Sequence, residues 1–139
     1  MSNITYDNDL IQVMSLFTYI TRVPLKDCYY DEAKVTFVIM PGNIRNAIGK
    51  DNTNIRKLEQ KLQKKIRIVE FDSDLVKFIK NMILPFRVNE IVLDNNVVII
   101  RSDDIKAKSL IIGKNARNLR ALETNVKRYF SDLAEIKVE

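Results

Sequence analysis

Apolar residues at positions 10, 11, 13, 14 and 17 of "DLIQVMSLF" recur at helical spacing, and "DLVKFIKNM" repeats them at 75, 76, 78, 79 and 82, an offset of 65. An aspartate opens each stretch, so Asp9 and Asp74 are the predicted caps of two helices. Short strand-like segments follow each helix. In the first half they lie at 28–30 and 35–40, split by "DEA"; in the second they lie at 88–93 and 97–101, split by "DNN", a hairpin turn. Pro41 and Gly42 stop the first pair, and Asn43 and Asp103 are placed to cap a short helix in each half. A longer amphipathic helix comes next. Its apolar stripe is Ile55, Leu58 and Leu62 in one copy and Leu119, Leu122 and Val126 in the other. Last strands follow at 66–71 and 134–139, so both halves read helix, strand, strand, helix, helix, strand.

The stretches "AIGKDNTNI" and "IIGKNARNL" sit at the same place in the two halves, and they use two of only three glycines in the chain. Setting Gly49 against Gly113 also aligns Ile48 with Ile112, Lys50 with Lys114 and Ile55 with Leu119. Each glycine falls at the turn between the short helix and the long one. A residue without Cβ permits a tight turn there and lets a ligand backbone approach closely. The amides opening the long helix lie at its positive end, and the following lysine adds a mobile charge. A phosphate group is the expected occupant. A purely structural glycine turn explains either copy alone about as well; the repetition favours a site.

Charge distribution points the same way. The formal net charge of the 139-residue chain is only +5. Residues 45–67, however, hold eight basic residues against two acidic ones, and residues 106–128 hold seven against one, a net of +6 in each block. The remainder is acidic, so the two basic blocks enclose the two glycine turns. Catalysis is not expected. The chain has no histidine and one cysteine, Cys28, in an apolar setting that suits a buried thiol, so the usual metal and nucleophile patterns cannot be assembled. No cofactor is expected. Lys50 is followed by Asp51 and Lys114 by Asn115 where a Walker-type loop needs Ser or Thr. Apolar runs are short, with no membrane span and no signal-like N-terminus, so the expected location is the cytoplasm.

The pattern I-G-K-x-x-x-x-[IL] between two helices resembles the signature of KH domains, whose GxxG loop clamps the backbone of single-stranded nucleic acid. With the extra helix and strand pair first, the order is similar to that of the prokaryotic, type II variant. The resemblance implies an α+β fold of two tandem type II KH domains, residues 1–72 and 73–139, each a three-stranded sheet packed on helices. Two such copies filling a short chain resemble the archaeal NusA-like transcription factors. That implies single-stranded RNA as ligand, a role in elongation, termination or antitermination, and RNA polymerase as a candidate second partner of a monomeric protein.

The loops read 49-GKDN-52 and 113-GKNA-116, so both lack the fourth-position glycine. Asn52 tolerates left-handed backbone, whereas Ala116 would cost ~1 kcal/mol if that geometry were required. Asp51 places a repelling charge in the first loop, set against Arg45, Lys50 and Arg56. The residues expected to meet RNA are therefore Arg45, Ile48, Gly49, Lys50, Asp51, Asn52, Ile55 and Arg56 in one half. In the other they are Ile112, Gly113, Lys114, Asn115, Ala116, Arg117, Leu119 and Arg120. Bases are expected on Ile44, Ile48 and Ile55, or on Ile111, Ile112 and Leu119, rather than on aromatic rings, since no loop aromatic exists. The junction between Phe71 and Asp74 has no flexible spacer, which predicts halves fixed to each other and one continuous track. Three other readings stay open. They are a ribosome-assembly or RNA-decay factor on the same fold, a degenerate pair docking its basic helices on an acidic protein, and, least expected, an enzyme.

Overall fold

The structure, a computed structural model, describes residues 8–30 and 34–139. The chain divides after Asp72 into two compact units. In the first, α1 (Asn8–Thr21) leads into β1 (Leu25–Tyr30) and β2 (Lys34–Ile39), followed by α2 (Ile44–Ile48), α3 (Thr53–Leu62) and β3 (Lys65–Glu70). The sheet order is β1-β2-β3, with β1 antiparallel and β3 parallel to the central strand. A parallel neighbour cannot be reached by a hairpin, so the chain crosses over between β2 and β3. That crossover is α2, the Gly49 turn and α3. The glycine turn is thus held by both ends of one sheet.

Strand alternation supplies the core. Cys28, Phe37 and Ile68 form one cross-strand row and Tyr30, Val35 and Ile66 another, on the same face of the pleat. Phe17 of α1 stacks on Phe37 with ring centroids 4.3 Å apart, and Val23, Ile39, Ala47 and Leu58 complete a cluster with Cys28 and Val35. The thiol of Cys28 is fully buried.

The second unit repeats the plan with α4 (Leu75–Ile83), β4 (Glu90–Asp94), β5 (Val97–Arg101), α5 (Ile105–Ile112), α6 (Arg117–Lys127) and β6 (Glu135–Val138). Its sheet order is β4-β5-β6, again antiparallel then parallel. Val98, Ile100 and Ile136 are fully buried, as are Phe78 and Ile79 of α4 and Val126 of α6. Asn95 and Asn96 both adopt positive φ, 49° and 67°, which gives the expected hairpin turn its right-handed twist. The corresponding turn at 31–33 lies outside the described residues.

Three expected caps differ. Asp74 does cap α4, accepting from Val76 and Lys77 amides at 2.9 and 3.2 Å. Asp9, in contrast, lies inside the first turn of α1, where its charge suits the helix dipole without capping. Asn43 occupies the position before α2 but makes no cap bond; its amide turns back to the carbonyls of Met40 and Pro41. In the second unit the cap is Asp104, which accepts from the Ala107 amide at 3.1 Å, and not Asp103. Asp103 is engaged elsewhere, exchanging bonds with the Asn89 carboxamide.

Candidate nucleic-acid interface

Each short helix ends on a glycine whose backbone only glycine adopts readily: φ 81°, ψ 165° at Gly49 and φ 75°, ψ 172° at Gly113. The following turns are superposable in dihedral terms. Asp51 (55°, 35°) and Asn52 (61°, 25°) are left-handed, as are Asn115 (56°, 32°) and Ala116 (60°, 23°). The fourth position is therefore the left-handed residue that a second glycine would serve, although the chain supplies Asn and Ala. Asn suits it; Ala does not. Replacing Ala116 by Gly is expected to stabilise the protein by ~1 kcal/mol, raising the melting temperature by about 4–8 °C, with a smaller gain for Asn52→Gly. Thermal unfolding of the two variants checks the order.

Hydrogen bonding within the turns leaves specific donors over. The Asn52 amide donates to the Gly49 carbonyl at 3.2 Å and the Thr53 amide to the Lys50 carbonyl; the Ala116 and Arg117 amides do the same with Gly113 and Lys114. Among the described residues nothing accepts from the amides of Lys50 and Asp51, or from those of Lys114 and Asn115. Two consecutive free N–H groups after a glycine, at the start of a helix, form a concavity suited to an anion. Lys50, Asp51, Asn52, Lys114 and Asn115 are exposed, and Gly49, Gly113 and Ala116 half-buried.

The flanking charges are unequal. Arg45, Lys50, Arg56 and Lys57 are exposed and have no ion pair among the described residues. Arg117 and Lys114 are exposed likewise, but Arg120 pairs with Glu123 at 3.1 Å. Glu123 also accepts from the Ile136 amide at 2.9 Å and lies 3.9 Å from Lys127. Glu123 is mostly buried, but the Arg120 side chain is more than half exposed, which leaves its guanidinium open to a phosphate as well.

The apolar candidates separate into two groups. Ile44, Ile48, Ile55 and Ile112 are half-buried and keep surface for a ligand. Leu119 and Ile111 are 7% and 5% exposed, so they belong to the core and leave base contact in the second unit to Ile112. The stripe that carries Leu119 packs through Leu122 and Val126, both buried.

A pair of residues passed over in the sequence reading completes each turn. The Asn54 carboxamide donates to the Asn46 carbonyl at 3.0 Å, and that of Asn118 to the Leu110 carbonyl at 2.9 Å. Each is the second residue of a long helix reaching back to the last turn of a short one. The signal was present: Asn54 and Asn118 are identical at the offset of 64 that aligns the glycines. Among the described residues no three of His, Cys, Asp and Glu gather as a metal-ion site, and no helix is long and apolar enough to cross a membrane.

Residues 14–81 match the model of the KH domain family, a span that includes the first glycine turn. The chain is 30% identical over 137 residues to a probable transcription termination protein NusA of Thermoplasma acidophilum, covering 94% of this chain and 93% of that one. A protein of the same description from Methanocaldococcus jannaschii is 28% identical over 141 residues, with 99% and 76% covered. Among solved structures, that titled "Crystal structure of APE1850" superposes with a TM-score of 0.71 at 25% identity, covering 93% of this chain and 96% of that one.

Proposed function

We propose, because the chain belongs to the archaeal NusA-like family of KH-domain proteins, that it binds single-stranded RNA and acts on transcription at elongation, termination or antitermination. The units before and after Asp72 serve as two type II KH domains. One observation supports this most: both units carry a left-handed turn after glycine with two consecutive free amides and an exposed lysine. A sugar-phosphate backbone passing over the turn meets the free amides and the lysine, with Asp51 the opposing charge in the first copy, while its bases reach Ile44, Ile48 and Ile55, or Ile112. The work done is binding and not catalysis. RNA polymerase is the candidate protein partner.

Anisotropy titration with a labelled single-stranded oligoribonucleotide tests the reading. With ~5 phosphates neutralised, the slope of log affinity against log salt should be about −3.5. Absence of binding at low salt would favour docking of the basic helices on an acidic protein instead. The loops supply an internal comparison, since Asp51 and Asn115 share one conformation and differ in charge alone. Asp51→Asn is expected to tighten binding by about two- to fivefold, and Asn115→Asp to weaken it by a similar factor, as removal or addition of one screened surface charge dictates. Equal affinities for all three proteins would place the phosphate away from this position.

A further inference from the structure

We infer that Asn54 and Asn118 are positioning residues of the two RNA seats, each fixing the glycine turn so that its free amides converge on one phosphate. The inference rests on the RNA-binding reading above and adds residues that reading does not use.

Each asparagine does two things at once. Its Nδ2 donates to a carbonyl three residues before the glycine, Asn46 in one unit and Leu110 in the other. Those carbonyls lie in the last turn of the short helix, where the glycine amide has bonded one residue earlier, to Arg45 or Ser109. They are the acceptors a helix C-terminus leaves without a partner, and they carry its partial negative charge beside the place a phosphate must enter. A donor on one of them removes a repelling acceptor without adding a group that competes for the phosphate.

The second action is steric. A Cβ built on Gly113 would lie 2.7 Å from Cγ and Nδ2 of Asn118 and 2.9 Å from its backbone nitrogen. On Gly49 it would lie 3.0 Å from the same three atoms of Asn54. The carboxamide therefore packs against the bare side of the glycine Cα and closes a nine-residue ring from the short helix to the long one. Glycine at the turn and asparagine five residues on are one unit, G-K-x-x-x-N, built twice. The same two bonds and the same contact appear in both units, although Gly49 and Gly113 are followed by different residues at the third and fourth loop positions.

Removing the carboxamide should release the turn while leaving every cation in place. In the full-length chain carrying Asn54→Ala and Asn118→Ala, affinity for a single-stranded 12-mer RNA is expected to fall about tenfold at fixed salt. The melting temperature should remain well above the assay temperature. Asn54→Asp with Asn118→Asp should lose more, because an isosteric carboxylate faces both the carbonyl and the phosphate. If the double alanine variant does not fold, Asn118→Ala alone carries the measurement. Coupling supplies the readout that a merely structural asparagine would not move. Gly113→Ala should weaken RNA binding strongly in the wild-type background and by a clearly smaller factor in the Asn118→Ala background, where the 2.7 Å contacts with Cγ and Nδ2 are gone and only the backbone contact and the dihedral cost remain. Losses that multiply independently, or alanine variants that bind RNA as well as the wild type, would overturn the inference and leave the functional reading standing. A wild-type chain that binds no RNA would overturn both.

Discussion

Exchanging Lys50 and Lys114 together for aspartate is expected to weaken RNA binding at least ~100-fold while shifting the melting temperature by under about 2 °C. Both side chains are exposed and neither has an ion pair among the described residues, so the fold loses nothing when they change sign. A charge a few ångströms from a phosphate at the protein surface is worth about 1 kcal/mol or somewhat more. Reversing it turns that attraction into a similar repulsion, so two sites together account for about 3–4 kcal/mol, a factor of several hundred. The salt slope should also fall from about −3.5 toward about −2, as two fewer counterions are released from a single strand. Anisotropy at several salt concentrations reads both quantities, and calorimetry reads the stability. Affinity retained by the double variant would move the RNA away from the glycine turns, whatever the fold. The alanine pair at the same positions should fall between, since it removes the attraction without adding repulsion.

Much of this arrangement could be read before any coordinates. Element order follows from patterns of period two and 3.6, and the strongest of them, at 75–82, placed both a helix and its aspartate cap. The paired glycines were legible because a duplicated chain repeats its constraints. The left-handed fourth position was legible too, as a question about Ala116 that the dihedral of 60° answers. What escaped was set by rotation and by close choices between neighbours. Ile55 and Leu119 align in sequence, yet one is half-buried and the other in the core. A stripe shows which side of a helix faces inward and not how deeply each residue sits. Asp103 and Asp104 both suit a cap, and a bond from the Asp104 amide to Ser102 Oγ is part of what separates their roles. Asn54 and Asn118 stood in plain view as an identity at the right spacing, but only the position of a carbonyl eight residues back gives them a purpose.

Gly113→Ala is the substitution expected to damage the molecule most, and Gly49→Ala the next. At φ 75° and ψ 172° an alanine occupies a region that L-residues avoid, at a cost of about 1–3 kcal/mol before any contact is considered. The new methyl also meets Asn118 at 2.7 Å, including backbone at 2.9 Å that belongs to a helix and cannot withdraw as a side-chain tip could. Gly49 presents the same dihedral problem with contacts at 3.0 Å, which makes its penalty the smaller of the two. Relief requires the glycine to leave its present dihedral, and this carries the amides of Lys114 and Asn115 out of line together. Stability and RNA binding should therefore fall in concert, unlike the lysine variants. Chemical denaturation is expected to show a loss of about 2–3 kcal/mol for Gly113→Ala. Its RNA affinity should drop even at temperatures where the chain is fully folded, and a variant that keeps wild-type affinity once folded would show that the glycine serves the fold alone.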